Sequence, residues 1–282
     1  MTLRRQTLAA SLVLVALAFA TGAPAQELKR PDVVFVATDE AVVDEMLSMA
    51  NVSRNDLVYD LGSGDGRLVI TAAKRHGARG VGIDIDPQRI KESQENALKA
   101  GVADRVKFIL GDLFEADFHD ATVVTLYLLP ELNLRLRPIL LQQLKPGTPV
   151  VSHDYHMGDW ERDEVRTVAG TERYHTVYLW RIPARVDGVW RWDDGNGWHA
   201  LTIQQKFQKL TATLNTNSGG RAVSDVRLSG TEVRFKEPGT GRQFVGRANA
   251  DVIEGSVTEP DGRQARPWIA KRVRAVAGKT TP

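Results

Sequence analysis

From residue 39 to about residue 182, short apolar runs alternate with amphipathic stretches along the chain. The apolar runs predict strands, and the stretches whose apolar residues recur every three or four positions predict helices. Strands that alternate with helices are typical of a parallel sheet with helices on both faces. The sequence therefore predicts a doubly wound, Rossmann-like α/β domain in this part of the chain.

The alternation of helices and strands continues to the end of this part. Two apolar runs, 165–168 and 176–182, follow each other without a long helical stretch and predict an antiparallel hairpin at the sheet edge. Thr38 is expected to cap the first helix. The predicted helices are residues 39–50, 66–76, 87–100 and 131–144, and the predicted strands are residues 57–61, 81–85, 106–110, 122–128 and 149–152.

After Pro183 the pattern changes to short alternating runs separated by glycine-containing turn sequences. Several short strands in succession predict a small antiparallel barrel or sandwich. Its four tryptophans, Trp190, Trp192, Trp198 and Trp268, are expected to pack in the core rather than line a binding face. The predicted strands are residues 189–192, 198–207, 210–214, 223–228, 232–236, 243–247, 252–257 and 266–272.

Composition supports two globular domains and excludes several kinds of site. The 282 residues include no cysteine, which excludes disulfides, thiolate zinc sites and cysteine nucleophiles. Residues 26–185 carry 20 basic and 25 acidic residues, whereas residues 186–282 carry 15 and 10. These opposite net charges predict that the two domains, divided near residue 185, attract each other. Neither part has a clear basic surface, so no nucleic-acid partner is expected.

The N-terminus has the order of a secretory signal peptide. Arg4 and Arg5 precede an apolar run over residues 8–20, and a small-x-small site ends at Ala25. The apolar run is shorter than the roughly 20 residues that a membrane span needs. We expect cleavage after Ala25, export to the periplasm and no stable membrane span afterwards. An uncleaved anchor that leaves the protein facing the cytoplasm is the alternative.

A glycine-rich loop follows the first predicted strand. Gly62, Gly64 and Gly66 stand between that strand and a helix, so the chain can turn tightly and a ligand can approach its backbone. Their period is G-x-G-x-G, not the G-x-G-x-x-G of dinucleotide enzymes. Asp60 comes two residues before the first glycine, where its carboxylate would repel a pyrophosphate but suits a ligand that carries an ammonium group.

With this loop the chain resembles the class I S-adenosylmethionine-dependent methyltransferases, whose first motif is an acidic residue followed by G-x-G-x-G. In that family the motif holds the methionine part of the cofactor, an acidic residue after the second strand binds the ribose, and an aspartate after the third strand lies beside the adenine. The resemblance implies that S-adenosylmethionine is the cofactor. The residues that match are Asp60, Gly62, Ser63, Gly64 and Gly66 for the methionine part, Asp84 for the ribose, and Asp112 with Leu113 for the adenine.

A closer resemblance covers about residues 33–160. Residues 60–67 and 82–84 are similar to those of the methyltransferases that modify lysine in the c-subunit of ATP synthase, and to the non-SET histone lysine methyltransferases. Bacterial homologues share the segments 35–38 and 126–133. The resemblance implies a protein-lysine N-methyltransferase whose acceptor is a protein, with a small-molecule acceptor as the alternative. It implies nothing about the β-rich part.

The loop after the fourth strand, residues 127–133, is where this family places substrate-side residues. It lacks the Asn/Asp-Pro-Pro-Tyr/Phe signature of amide and aromatic-amine methyltransferases, which disfavours a nucleobase or glutamine acceptor. Glu131 and Asn133 are candidate catalytic residues, although Glu131 also suits capping of a helix. Asp154, after the fifth strand, is a third candidate, and Asp154 or the neighbouring Tyr155 is expected to contact the substrate. Tyr127 is expected to be a core residue.

Two other functions and a metal site compete with this interpretation. Asp60 and the glycine spacing disfavour a nicotinamide oxidoreductase. A non-enzymatic cell-envelope protein that retains the fold is the alternative function, because S-adenosylmethionine is made in the cytoplasm and the predicted signal directs the chain out of it. His153, Asp154 and His156 have metal-ligating side chains, but without a further ligand cluster we expect a hydrogen-bonded loop and no metal.

Overall fold

The computed structural model describes residues 33–195, 197–262 and 265–273. The predicted signal peptide, residues 1–25, lies outside the described residues. Within those described ranges, no helix has the length and apolar character needed to cross a membrane.

The first part of the chain forms a seven-stranded sheet in the order β3-β2-β1-β4-β5-β7-β6. The first five strands of this order are parallel, whereas β7 is antiparallel to both β5 and β6. The α/β class and the edge hairpin are therefore as predicted. The strands are β1 (Leu57–Leu61), β2 (Arg79–Asp84), β3 (Val106–Leu110), β4 (Val123–Leu126), β5 (Pro149–His153), β6 (Glu164–Ala169) and β7 (Tyr174–Arg181).

Helices cover both faces of this sheet. Three of them pack on one face, where a core of small and branched side chains surrounds Val58, while α4 packs on the other face around Leu61. The prediction for Thr38 is wrong: Asp39 is the N-cap of α1, because the Thr38 hydroxyl lies against His153 instead. The helices are α1 (Glu40–Met49), α2 (Arg67–His76), α3 (Pro87–Ala100) and α4 (Pro130–Gln143).

The second part forms one curled antiparallel sheet of nine strands, in the order β11-β10-β9-β8-β16-β15-β14-β13-β12. Strands β10 and β12 lie in contact, so the sheet curls on itself like a barrel rather than stacking as a sandwich. The single strand predicted over residues 223–228 is two strands with a bend between them. The strands are β8 (Gly188–Asp193), β9 (Trp198–Lys206), β10 (Lys209–Thr216), β11 (Gly219–Val223), β12 (Arg227–Ser229), β13 (Glu232–Lys236), β14 (Gln243–Asn249), β15 (Val252–Thr258) and β16 (Ala265–Arg272).

Three of the four tryptophans of this sheet lie in its core, as predicted. Trp190, Trp192 and Trp268 are buried, and Trp192 contacts Trp268 edge to face. The prediction is wrong for Trp198, which is 47% exposed at the start of β9 and has the Arg191 guanidinium over its ring. Large rings therefore fill the inside of the curled sheet, while Trp198 stays at its surface.

Charged and aromatic side chains join the two sheets. Lys206 Nζ lies 3.0 Å from Asp159 Oδ2, and Lys209 Nζ lies 2.6 Å from Glu161 Oε1. The Phe207 ring stacks on Trp160, with their centroids 5.9 Å apart. Opposite charges thus meet in these pairs. The tryptophan in the aromatic contact is Trp160 of the first part, whereas three of the four tryptophans of the second part lie in its own core.

We predict that residues 26–185 and 186–282 fold separately and associate more weakly as salt is added. The pairs that join the two sheets are exposed, and exposed charges are screened beyond about 10 Å at 0.1 M salt. Circular dichroism of the two fragments, alone and mixed, checks the prediction against the whole chain. Disorder of 186–282 alone together with aggregation of 26–185 would show instead that the two parts are one cooperative unit.

Candidate active site

A cavity of about 790 Å³ lies at the carboxyl ends of the parallel strands. Parallel strands that share a sheet present their carboxyl ends at one edge, which is where ligands of open α/β sheets bind. One wall of the cavity is an extended segment, residues 33–38, here called the N-terminal strap. The other walls come from the loop after β1, residues 84–86 at the end of β2, residues 111–114 after β3, and residues 127–129 and Leu132 with Tyr155.

The loop after β1 depends on three glycines that adopt positive φ angles. A Cβ atom on Gly64 would lie 2.2 Å from the Phe35 ring of the strap, and one on Gly66 would lie 2.7 Å from the Phe108 ring on β3. Gly62 lines the cavity, whereas Gly64 and Gly66 are not among its described lining residues. The structure thus gives Gly64 and Gly66 a shaping function, since they let the strap and β3 pack closely against the loop.

A buried carboxylate faces the cavity at the end of β1. Asp60 is 4% exposed, and its Oδ1 accepts a hydrogen bond from Thr125 Oγ1 at 2.7 Å. Burial raises the pKa of Asp60 to about 7, and the nearby Asp84 and Asp65 carboxylates add to the rise. A cationic ligand group beside Asp60 would relieve this repulsion.

Two further carboxylates line the cavity where the sequence places them. Asp84 Oδ2 accepts a hydrogen bond from Gly64 N at 2.7 Å, and Asp84 Oδ1 accepts one from Asp86 N at 2.9 Å. Asp112 follows β3, and its Oδ1 accepts a hydrogen bond from Phe114 N at 2.9 Å. The carboxylate of Asp84 therefore joins the end of β2 to the loop after β1.

Ser63 and Leu113, two further predicted cofactor residues, also line the cavity. Ser63 Oγ is buried and has no hydrogen-bond partner among the described residues. A buried polar atom of this kind is costly unless a bound group satisfies it. The cavity thus offers an unpaired hydroxyl beside its carboxylates.

An ion pair that the sequence did not single out holds the strap over the cavity. Arg67 Nη2 lies 2.5 Å from Asp65 Oδ2, and Arg67 Nη1 donates a hydrogen bond to the Thr38 carbonyl at 2.6 Å. The Arg89 guanidinium lies 4.9 Å from the centre of the Phe35 ring. These contacts join α2 and α3 to the strap. In the sequence, the signal for the ion pair was Asp65 and Arg67 on either side of the last glycine of the loop.

The three candidate catalytic residues lie outside the described cavity wall. Glu131 is exposed in the first turn of α4, where an acidic side chain favours the helix N-terminus. Asn133 is fully buried, and its Nδ2 donates hydrogen bonds to Ser152 Oγ and the Tyr155 carbonyl, both at 3.3 Å. In this structure Asn133 joins α4 to the end of β5 and so positions Tyr155.

Asp154 is bound to residues in and next to β7. It adopts a φ of 60° directly after β5, and its Oδ1 accepts a hydrogen bond from Thr176 N at 2.8 Å. Its Oδ2 lies 2.5 Å from Arg173 Nη2. Burial alone would raise the pKa of Asp154, but the hydrogen bonds from Thr176 N and Arg173 lower it below its usual value.

Two tyrosines occupy the wall at the ends of β4 and β5. The expectation that Tyr127 is a core residue is wrong, because its side chain is half-buried and lines the cavity together with Tyr155. Their rings are nearly parallel, with centroids 6.1 Å apart. The position of Tyr127, one residue past β4, was the signal that it lies at the ligand edge.

His156 does not lie with His153 and Asp154, with which the sequence grouped it as a possible metal ligand. Its ring is exposed, and its Nδ1 accepts a hydrogen bond from Gly158 N at 3.0 Å. The structure brings His175 to His153 and Asp154 instead, through the pairing of β5 with β7.

Comparison with known proteins agrees with this geometry. The family model described as the ANTKMT methyltransferase domain matches residues 60–164. The chain is 47% identical over 153 residues to the protein-lysine N-methyltransferase of Saccharolobus islandicus, a match that covers 54% of this chain and 95% of that protein. It is 30% identical over 138 residues to the human lysine N-methyltransferase of the ATP-synthase c-subunit, covering 49% and 58%.

One solved structure is similar over the same share of the chain. It is described as an RNA methyltransferase from Salinibacter ruber in complex with S-adenosyl-L-homocysteine, and it is 60% identical, with a TM-score of 0.50, over 54% of this chain and 96% of that one.

The cavity of this chain fits such a ligand. Its size is within the usual range for small-molecule sites, Asp60 suits the ammonium group of the amino-acid part, and the buried Ser63 hydroxyl is unpaired among the described residues. The fold, the cavity and these matches support an enzyme rather than a binding protein that only retains the fold. The chain belongs to the class I S-adenosylmethionine-dependent methyltransferases, in the group that contains the lysine methyltransferases of the ATP-synthase c-subunit.

Proposed function

We propose that this enzyme transfers a methyl group from S-adenosylmethionine to a lysine side chain of a protein. The observation that carries the proposal is the 47% identity to a protein-lysine N-methyltransferase over 95% of that protein's length. The cavity agrees with it, because the wall beyond β1 consists of apolar and aromatic side chains that suit an alkyl chain. These side chains are Tyr127, Leu128, Leu129, Leu132 and Tyr155.

We assign the cofactor to the half of the cavity over β1, β2 and β3. Asp60 and Ser63 would hold the amino-acid part, Asp84 the ribose hydroxyls, and Asp112 with Leu113 the adenine. When bound, S-adenosylmethionine supplies a sulfonium methyl carbon, to which the acceptor nitrogen bonds as the carbon–sulfur bond breaks and its electron pair passes to sulfur. The ammonium proton of the lysine passes to solvent before the nitrogen attacks. The chain's own task is to align the two partners and to exclude water.

Asp60 is predicted to make cofactor binding depend on pH. Because its pKa in the free protein is raised to about 7, the carboxylate that pairs with an ammonium group is mostly absent at pH 6 and mostly present at pH 8. The affinity for S-adenosylhomocysteine should therefore rise roughly tenfold from pH 6 to pH 8. Isothermal titration calorimetry across this range measures the effect.

The controls for this pH effect are one variant and one ligand. Asp60→Asn cannot ionise, so its affinity should vary little with pH, and adenosine lacks the ammonium group, so its binding should also vary little. A flat profile for wild type with S-adenosylhomocysteine would contradict the account. The stability of the free protein should change with pH in the opposite direction. Because ionising a carboxyl group of raised pKa costs free energy in the folded state, the contribution of Asp60 to the free energy of unfolding falls as pH rises from about 4 to about 7.

RNA is the second candidate acceptor, because the similar Salinibacter protein is described as an RNA methyltransferase. The net negative charge of residues 26–185 disfavours a polyanion, since RNA binding draws on clustered basic residues.

A labelling experiment separates the two acceptors. The purified enzyme and methyl-labelled S-adenosylmethionine are added to a cell extract, which is then divided between protease and ribonuclease digestion. The proposal predicts label that protease releases and that amino-acid analysis identifies as methyllysine. Label released by ribonuclease alone would overturn the lysine assignment. Asp84→Ala is the control for dependence on the cavity.

We also propose that the protein is exported to the periplasm. The support is the order of Arg4, Arg5, the apolar run over 8–20 and the small residues that end at Ala25. Fusion of the chain to reporters active only in the cytoplasm or only in the periplasm tests this. A periplasmic signal with loss of residues 1–25 supports export, whereas a cytoplasmic signal supports the anchor that faces the cytoplasm.

A further inference from the structure

A buried polar cluster lies behind the cavity wall formed at the ends of β4 and β5. It consists of Thr38, His153, Asp154 and His175, here called the histidine cluster. His153 Nδ1 lies 3.2 Å from Thr38 Oγ1, and His153 Nε2 lies 2.7 Å from His175 Nδ1. His175 Nδ1 also lies 3.1 Å from Asp154 Oδ2. Both nitrogens of the fully buried His153 ring therefore have partners, which fix the ring in place.

The ring of Tyr127 lies against this cluster. Its centroid is 3.8 Å from that of His153, and the two planes differ by 27°. Arg173, which pairs with Asp154, lies close enough to Tyr127 that its positive charge opposes the rise in the pKa of Tyr127. Burial raises the pKa of Tyr127, and burial lowers the pKa of His153 to about 4, so both rings are neutral near pH 7. His153 thus covers one face of the Tyr127 ring, the Tyr155 ring lies 6.1 Å from it, and the rest of the Tyr127 side chain lines the cavity.

The topology places Tyr127 away from the proposed cofactor residues. Asp84 ends β2 and Asp112 follows β3, on one side of β1, whereas Tyr127 follows β4 on the other side. The half of the cavity over β4 and β5 is therefore the half left for the acceptor. The lining residues that follow β4 and β5 are uncharged: they are residues 127–129, Leu132 and Tyr155.

We propose that Tyr127 contacts the acceptor lysine, with the part of its ring that lines the cavity against the alkyl chain and amine, and that His153 is a positioning residue that fixes this ring. The inference deepens the proposed function and rests on it for the identity of the acceptor. A ring face attracts both alkyl groups and cations, and positive charge passes to the acceptor nitrogen during transfer. The contact is therefore stronger in the transition state than with the neutral amine.

Two probes test the contact without an acceptor protein. One is S-adenosylhomocysteine, and the other is the analogue in which a nitrogen replaces the sulfur and carries a four-carbon chain like that of lysine. The ratio of the two affinities, measured by calorimetry, gives the contribution of the four-carbon chain to binding. In Tyr127→Ala this ratio should fall about five- to tenfold while S-adenosylhomocysteine binding stays within about twofold. Tyr127→Phe keeps the ring and should keep the ratio.

Tyr174→Ala is the matched control, because Tyr174 is 73% exposed at the start of β7. An unchanged ratio in folded Tyr127→Ala would overturn the proposal, and so would an equal loss of both probes, which would place the ring against the cofactor. Equal affinities of the wild-type protein for the two probes would overturn the proposal as well. Absence of methyllysine in the labelling experiment would overturn the proposed function instead, so the two failures are distinguishable.

The positioning role of His153 is tested through Thr38, whose hydroxyl is its hydrogen-bond partner. Thr38→Val removes the hydroxyl at nearly constant volume, and we expect the affinity ratio to fall about two- to threefold as the Tyr127 ring loosens. Thr38→Ser restores the hydroxyl and should restore the ratio. A Thr38→Val variant with a lower melting temperature and an unchanged ratio would show that His153 is structural only.

Discussion

Replacing Gly64 with alanine is expected to abolish measurable binding of S-adenosylhomocysteine while most secondary structure remains. Gly64 has a φ of 52°, and its added Cβ would lie 2.2 Å from the Phe35 ring, so the strap or the loop must move. Either movement also displaces the Gly64 N–H from Asp84 Oδ2, the contact that joins the loop to the end of β2. Calorimetry measures the binding, and circular dichroism measures the fold.

Gly101→Ala is the control for backbone strain alone. Gly101 has a φ of 71° at the end of α3, and an added Cβ there would meet nothing within 4 Å. Backbone strain alone should cost each variant about 1–2 kcal/mol of stability, because both place a side chain in a left-handed conformation, and Gly64→Ala adds the cost of the contact with Phe35. Only Gly64→Ala should lose the cofactor. Equal binding by the two variants would show that the loop is only a structural turn.

Asp84→Ala is expected to weaken binding of S-adenosylmethionine and its product by about 1.5–3 kcal/mol, or roughly 10- to 150-fold. The carboxylate has two tasks, since it would accept hydrogen bonds from the ribose hydroxyls and it accepts those of Gly64 N and Asp86 N. Asp84→Asn keeps one oxygen that accepts hydrogen bonds, so this variant should lose less affinity than Asp84→Ala.

Asp104→Ala provides the matched control for this change. Asp104 is exposed and precedes β3, at the opposite edge of the sheet from the cavity. Its loss should leave calorimetric affinity unchanged. An Asp84→Ala variant that binds as tightly as Asp104→Ala would remove the ribose assignment.

Residues whose place depends on the chain direction of a parallel strand could be predicted from the sequence. Asp60, Asp84 and Asp112 stand at or just after the ends of three apolar runs, and parallel strands bring those ends to one edge. Their common cavity follows from this rule without any knowledge of side-chain packing. The same rule applies to Tyr127. Because its neighbours in the sequence are apolar, a core position was the simpler interpretation.

Contacts between distant segments could not be predicted in the same way. Phe35 against Gly64 and Thr38 against His153, which are 115 residues apart, depend on how an extended strap crosses the sheet edge. His175 reaches His153 only through the register of β5 with β7. The periodicity of a strand shows which face a side chain lies on, but it does not show which distant residue meets it there.

A crystal structure of this chain with S-adenosylhomocysteine tests the account of the site most directly. The account predicts the ribose hydroxyls on Asp84, the amino group beside Asp60, and the sulfur directed toward the half of the cavity that Tyr127 lines. A ligand bound in the reverse direction, with its adenine against Tyr127, or bound outside this cavity, would contradict it.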